Sequence, residues 1–131
     1  MGRGRKTRRA LSSGGHGAAE GLNHHLGAWP GVRITAMFGR WGYFAGDVLF
    51  GTFPLREKDR DLWIRLSATD QARALAVRGV RPHRRFAARG WIEYDVSSPE
   101  ELSQALRWLR RGYETARRAG GGTGDDTVTP R

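Results

Sequence analysis

Residues 32–53 read Val-Arg-Ile-Thr-Ala-Met-Phe-Gly-Arg-Trp-Gly-Tyr-Phe-Ala-Gly-Asp-Val-Leu-Phe-Gly-Thr-Phe, the densest apolar and aromatic run in the chain. Val32, Ile34, Ala36 and Phe38 alternate with Arg33, Thr35 and Met37. Period two is the pattern of a strand with one buried face, so the first group is expected to point inward. Gly39 and Gly42 break the run around Arg40 and Trp41. Gly46-Asp47 then separates Tyr43-Phe44 from Val48-Leu49-Phe50. A Gly-Asp pair between two β-prone runs is a hairpin signal, because glycine accepts positive φ at the first turn position. The stretch therefore predicts an antiparallel meander.

Working outward, the N-terminal side holds a possible short helix over 18–26, with Leu22 and Leu26 on one face. Gly27 stops it, and Trp29-Pro30-Gly31 turns the chain into the first strand. On the other side, a charged loop leads to a strand over 62–66 with Leu62, Ile64 and Leu66 inward. Ser67 and Asp70 form a weak capping box for a helix over 68–77, ended by Gly79 and kept from resuming by Pro82. Phe86 is expected to begin another short strand. Ile92, Tyr94 and Val96 mark a further strand, with Trp91, Glu93 and Asp95 on its other face. Ser98-Pro99-Glu100-Glu101 is the best helix start in the sequence: N-cap serine, proline at N1, glutamate at N3. Leu102, Ala105, Leu106, Leu109, Tyr113 and Ala116 then follow at helical spacing. The expected fold class is α+β: a single domain with an antiparallel meander sheet packed on one face by helices, a long C-terminal helix and disordered tails. Its boundaries are a basic arm at 1–17, the domain at 18–119 and a tail at 120–131.

At 131 residues there is room for one domain. No apolar run approaches the roughly 20 residues that a membrane span needs, and the basic N-terminus is not followed by the apolar stretch of a secretory signal. A membrane partner is therefore not expected. Cysteine is absent, which removes disulfides, Cys-ligated zinc and thiol catalysis, and fits a reducing cytoplasm. The formal charge is +10. Arg3, Arg5, Lys6, Arg8 and Arg9 supply half of it, while the body from 10 to 114 holds 15 basic and 11 acidic residues. Such an arm attracts polyanions in a salt-sensitive way, or is simply a solvated tail.

Met37-Phe38-Gly39-Arg40-Trp41-Gly42-Tyr43-Phe44 resembles the Met-Phe-Gly-Gly-x-Gly opening of the TfoX N-terminal domain family, with Arg40 where that motif usually has glycine. The likeness continues through Leu49-Phe50, Leu62-Trp63-Ile64-Arg65 and the final Arg-Arg-Gly-Tyr-Glu-Thr-Ala, and covers about 22–119. Gly90-Trp91-Ile92-Glu93-Tyr94 and the last helix also resemble the MmcQ/YjbR-like family. Both resemblances imply an α+β architecture. The first adds a hint of DNA-linked regulation of the transcription or competence type. Neither implies catalytic residues, so none are carried over.

The residues themselves offer little chemistry. Adjacent His24 and His25 point to different faces and make a poor chelate, and His16, His24, His25 and His83 all read as solvent-exposed. No metal or cofactor is expected. Glu93 and Asp95 share a strand face about 6.5–7 Å apart, a spacing usable for acid–base work. Lacking a nucleophile or metal ligand beside them, they read as surface residues pairing with arginines. No nucleophile elbow or phosphate loop is present. The sequence thus predicts a non-enzymatic binding domain. Its candidate face comprises Arg40, Trp41, Trp63, Arg65, Arg89 and Trp91, a set suited to stacking bases and holding phosphates of DNA or RNA. The alternative is a protein-interaction or homodimerisation module, because exposed tryptophans also mark protein contacts.

Overall fold

The computed structural model describes residues 15–121. The arm residues Arg3, Arg5, Lys6, Arg8 and Arg9, and the tail from 122 onward, lie outside the described residues.

The expected α+β fold is present. Helix α1 (Gly15–Gly27) leads into strands β1 (Val32–Met37), β2 (Arg40–Ala45), β3 (Val48–Pro54) and β4 (Asp61–Arg65). Helix α2 (Ala68–Leu75), a short strand β5 (Val80–Pro82), a 3-10 turn (Ala87–Arg89), strand β6 (Trp91–Asp95) and helix α3 (Pro99–Ala116) complete it. One six-stranded antiparallel sheet results, ordered β1-β2-β3-β4-β6-β5. Among the described residues no helix is long and apolar enough to cross a membrane.

Both hairpins turn where glycine permits it. Phe38 and Gly39, both at positive φ (52° and 76°), form the two-residue loop between Met37 and its partner Arg40. Positive φ at both central residues is the signature of a type I′ turn. Gly46 (φ 61°) opens the β2–β3 turn as the sequence predicts.

Alternation sorts the side chains onto two faces. Tyr43, Phe53, Leu62, Ile64, Ile92 and Tyr94 are buried beneath the helices, with Phe50 turned to the same side at a register shift in the β2–β3 pairing. Leu22 and Leu26 of α1, and Ala105, Leu109 and Tyr113 of α3, close over them. The α3 stripe faces this core as expected, and its start is capped twice: Glu101 N–H donates to Ser98 Oγ (3.1 Å), and Ser97 N–H donates to the Glu101 carboxylate (2.8 Å). For α2, Asp70 N–H donates to Ser67 Oγ (3.2 Å).

Four local expectations need correcting. The inward series of β1 ends after Val32 and Ile34; Ala36 is exposed, and Phe38 is 95% exposed because the chain reverses there instead of continuing as strand. Phe86 begins no strand. His83 Nδ1 accepts from the Arg85 and Phe86 backbone N–H groups (both 3.0 Å), which curls the chain into the 3-10 turn. Strand β5 has no counterpart among the expected elements. It is only three residues long and lies at the sheet edge, where a proline's missing donor is tolerated. Finally, α1 begins at Gly15, three residues before the expected start.

α3 lies close against the sheet. A Cβ on Gly112 would fall 2.7 Å from Arg65 O, and one on Gly51 would fall 2.8 Å from Leu109 Cδ2. β3 and β4 pair only through Gly51–Ile64 and Thr52–Trp63, so α3 settles over the place where these strands part. Gly112→Ala forces overpacking against backbone, for which a loss of about 1–3 kcal/mol is usual. The expected outcome is a two-state thermal transition lowered by roughly 4–8 °C per kcal/mol. An unchanged melting temperature would remove the close approach as a determinant of the fold.

Candidate functional site

The helices cover one side of the sheet and leave the other open. On the open side a hollow of about 280 Å³ is lined by Met37, Phe38, Arg40, Leu49, Thr52, Trp63, Phe86, Arg89 and Trp91. Four of the six residues singled out from sequence, Arg40, Trp63, Arg89 and Trp91, therefore meet in one place. Arg65 joins them from the same face: its Nε–H donates to the Arg89 carbonyl (3.3 Å). Trp41 does not belong to this face, which corrects the expectation. It pairs with Phe53 and packs against the helix-side core. The reason is parity: Tyr43 is buried under the helices, and Trp41, two residues earlier on the strand, points the same way.

Arg40 forms the base. Its Nε–H donates to Thr52 Oγ1 (2.7 Å), Nη1 to Asp61 Oδ2 (3.3 Å), and Nη2 to the Thr52 carbonyl (3.3 Å) and the Asp61 carbonyl. Burial lowers its pKa, and the Asp61 carboxylate opposes that shift. The guanidinium carbon lies 3.8 Å from the Trp63 ring centroid, a cation–π stack. Trp63 Nε1–H donates to Asp61 Oδ2 (2.9 Å). Trp63 is thus held from its face by Arg40 and from its edge by Asp61.

His83 sits behind the aromatic wall and is 3% exposed, not solvent-exposed as its sequence context suggests. Its ring meets Trp63 edge-on (4.3 Å between centroids) and stacks with Phe86 (5.1 Å). Two backbone donors on Nδ1 require that nitrogen to be unprotonated, which leaves the proton on Nε2. Nε2 is buried without a hydrogen-bond partner. Burial lowers the His83 pKa most, with the Glu93 carboxylate opposing, so the ring stays neutral.

Glu93 and Asp95 do pair with arginines, but Glu93 is no surface residue, being 1% exposed. Arg84 donates to it through its backbone N–H (3.1 Å), Nε (3.0 Å) and Nη2 (3.1 Å), and Arg81 through Nε (3.2 Å). Arg81 also reaches Asp95 (3.0 Å). Burial pushes the Glu93 pKa up, but the Arg84 hydrogen bonds and the two positive charges outweigh it and hold it at about 2. Such a carboxylate remains ionised and fully engaged, a poor general acid or base.

Arg65 and Arg89 are exposed, and neither has an ion-pair partner among the described residues. A second hollow of about 200 Å³ opens where β3 and β4 part; Arg65 lines it, together with Leu49 and Arg89 from the first. The two hollows share Leu49 and Arg89, so the arginines stand at their junction.

Sequence reasoning missed Met37, Phe38, Leu49, Thr52, Phe86 and His83. Phe38 was legible in principle: a two-residue loop at Phe38-Gly39 pairs Met37 with Arg40 and ends the alternation. His83 and Phe86 had no such signal, because their placement depends on hydrogen bonds within an irregular segment. Among the described residues no group of three or more histidine, aspartate or glutamate side chains could hold a metal ion. No family model and no curated protein sequence matches the chain.

The depressed Glu93 pKa fixes a sign. Its stabilisation is complete above the ordinary carboxyl value of 4.5 and is lost as pH falls toward about 2. At about 1.4 kcal/mol per unit, the contribution is on the order of 3 kcal/mol. In urea titrations across that window, Glu93→Gln is expected to lower stability at pH 7 and to flatten the acid limb. Parallel curves for the two proteins would deny Glu93 this role.

Proposed function

We propose that the chain is a non-enzymatic binding module that holds single-stranded nucleic acid on its uncovered sheet face. Bases lie against Trp63, Phe86 and Trp91, and the phosphate backbone runs over Arg65 and Arg89. The observation that carries this reading is one hollow lined by four aromatic rings, with Arg89 in its wall and Arg65 beside it, neither arginine having an acidic partner among the described residues. Base stacking on aromatic platforms beside positive charge is the common device of single-strand binders. At about 280 Å³ the hollow is just below the usual 300–1,000 Å³ of ligand sites, room for one ring system. A duplex keeps its bases stacked and cannot enter it. The engaged state of Glu93 and the neutral, enclosed His83 support binding over catalysis. DNA-linked regulation, hinted at by the TfoX resemblance, is a role that fits such a module.

The exposed Phe38 and Phe86 favour one other occupant, a second protein copy. That reading expects a concentration-dependent mass that Trp91→Ala abolishes.

Fluorescence anisotropy with labelled single-stranded and duplex DNA, over a salt series from about 50 mM upward, separates these. The expected result is preference for the single strand. Arg65→Ala with Arg89→Ala should flatten the log K against log salt slope by about 0.7 per lost contact. Trp91→Ala should weaken binding by about 1–3 kcal/mol. Both variants retain Arg3, Arg5, Lys6, Arg8 and Arg9, so any loss belongs to the sheet face. No binding by the unaltered protein at the lowest salt, or equal binding by the double variant, would defeat the proposal.

A further inference from the structure

Phe38 breaks two local rules at once. It is the one non-glycine residue at positive φ among the described residues (52°). The first position of a type I′ loop favours Asn, Asp or Gly, and a bulky side chain there is strained. A ring that was buried would offset the strain, but this one is 95% exposed. The fold gains no burial from it.

The backbone that carries the ring is nevertheless anchored. Leu55 N–H donates to the Gly39 carbonyl (3.0 Å), tying the hairpin tip to the chain beyond β3. Met37 and Arg40, on either side of the tip, pair with each other. Both, with Phe38 between them, line the hollow whose other wall is Trp63, Phe86 and Trp91. The hollow therefore has aromatic surface on two sides, one of them supplied by a residue whose backbone is strained and whose ring is bare. Strain of this kind persists where surrounding structure enforces it, and it concentrates at ligand clamps.

We infer that Phe38 is the second jaw of the site and stacks on a single unpaired nucleobase lodged against Trp63 and Trp91. This rests on the nucleic-acid reading above and adds a residue and a stoichiometry to it: one base per site, held from both sides. Ordering cost is small because the tip is already anchored. Phe38 contributes stacking and no charge, so it governs affinity without governing salt dependence.

The test uses the full chain with Phe38→Asn and Phe38→Trp, measured for thermal stability and for anisotropy with labelled single-stranded oligonucleotides. Asparagine suits the loop, so Phe38→Asn is expected to melt at a higher temperature than the parent. It should bind about 5- to 150-fold more weakly, with an unchanged salt slope. Phe38→Trp should retain at least parental affinity. If Phe38→Asn binds as the parent does while Trp91→Ala is weakened, the jaw is refuted and the nucleic-acid reading stands. A lower melting temperature for Phe38→Asn would refute the strain argument and the jaw with it. If the parent binds no single strand, both proposals fall together.

Discussion

Everything in this fold follows from how near α3 comes to the sheet. Gly112 meets the Arg65 carbonyl, Leu109 meets Gly51, and Tyr113 is fully buried with its hydroxyl donating to the Pro30 carbonyl. That contact draws α1 in behind it and concentrates the apolar surface of three helices on one side. A six-stranded sheet has two faces, and the helices satisfy only one. Antiparallel sheets tolerate this arrangement when the bare face is polar. Here the bare face is not simply polar, and aromatic rings on it are compensated by stacked cations.

Cations and rings cover that face in place of helices. Arg33 lies over Phe44 (4.4 Å), and Arg40 lies over Trp63. Arg81 and Arg84 close on Glu93, and His83 wedges between Trp63 and Phe86. A buried guanidinium is costly unless hydrogen-bonded throughout, and the Arg40 cradle supplies carbonyl, hydroxyl and carboxylate acceptors. The result is a thin second core built from electrostatics and stacking. Its inner members, Arg40, Glu93 and His83, have their charges or nitrogens largely committed to the protein. Its outer members, Arg65 and Arg89, do not.

The part of this that sequence reveals is the part governed by period. Alternation placed Leu62, Ile64, Ile92 and Tyr94 under the helices, helical spacing found the α3 stripe, and Ser67 and Ser98 announced their helices. It also put Trp63 and Trp91 on the open side. Periodicity failed where a turn resets parity: one two-residue loop at Phe38-Gly39 sent Phe38 to solvent and Trp41 to the core side. It had nothing to offer between Pro82 and Gly90. There, side-chain acceptance by His83 and Glu93 shapes the backbone, and such bonds link residues with no fixed spacing.

Departures from local preference gather on this same face. A phenylalanine occupies a loop position suited to asparagine, a histidine Nε2 is buried without a partner, and a guanidinium is withdrawn from water. On the helix side capping and apolar burial agree, and the one such departure among the described residues is Trp108 Nε1 on α3, which is buried without a partner. Folding alone would favour agreement everywhere, since each local conflict raises the energy of the native state relative to its competitors. The backbone strain and the withdrawn guanidinium both lie on the side with the aromatic hollow, while the helix side, with its caps and apolar core, secures the fold.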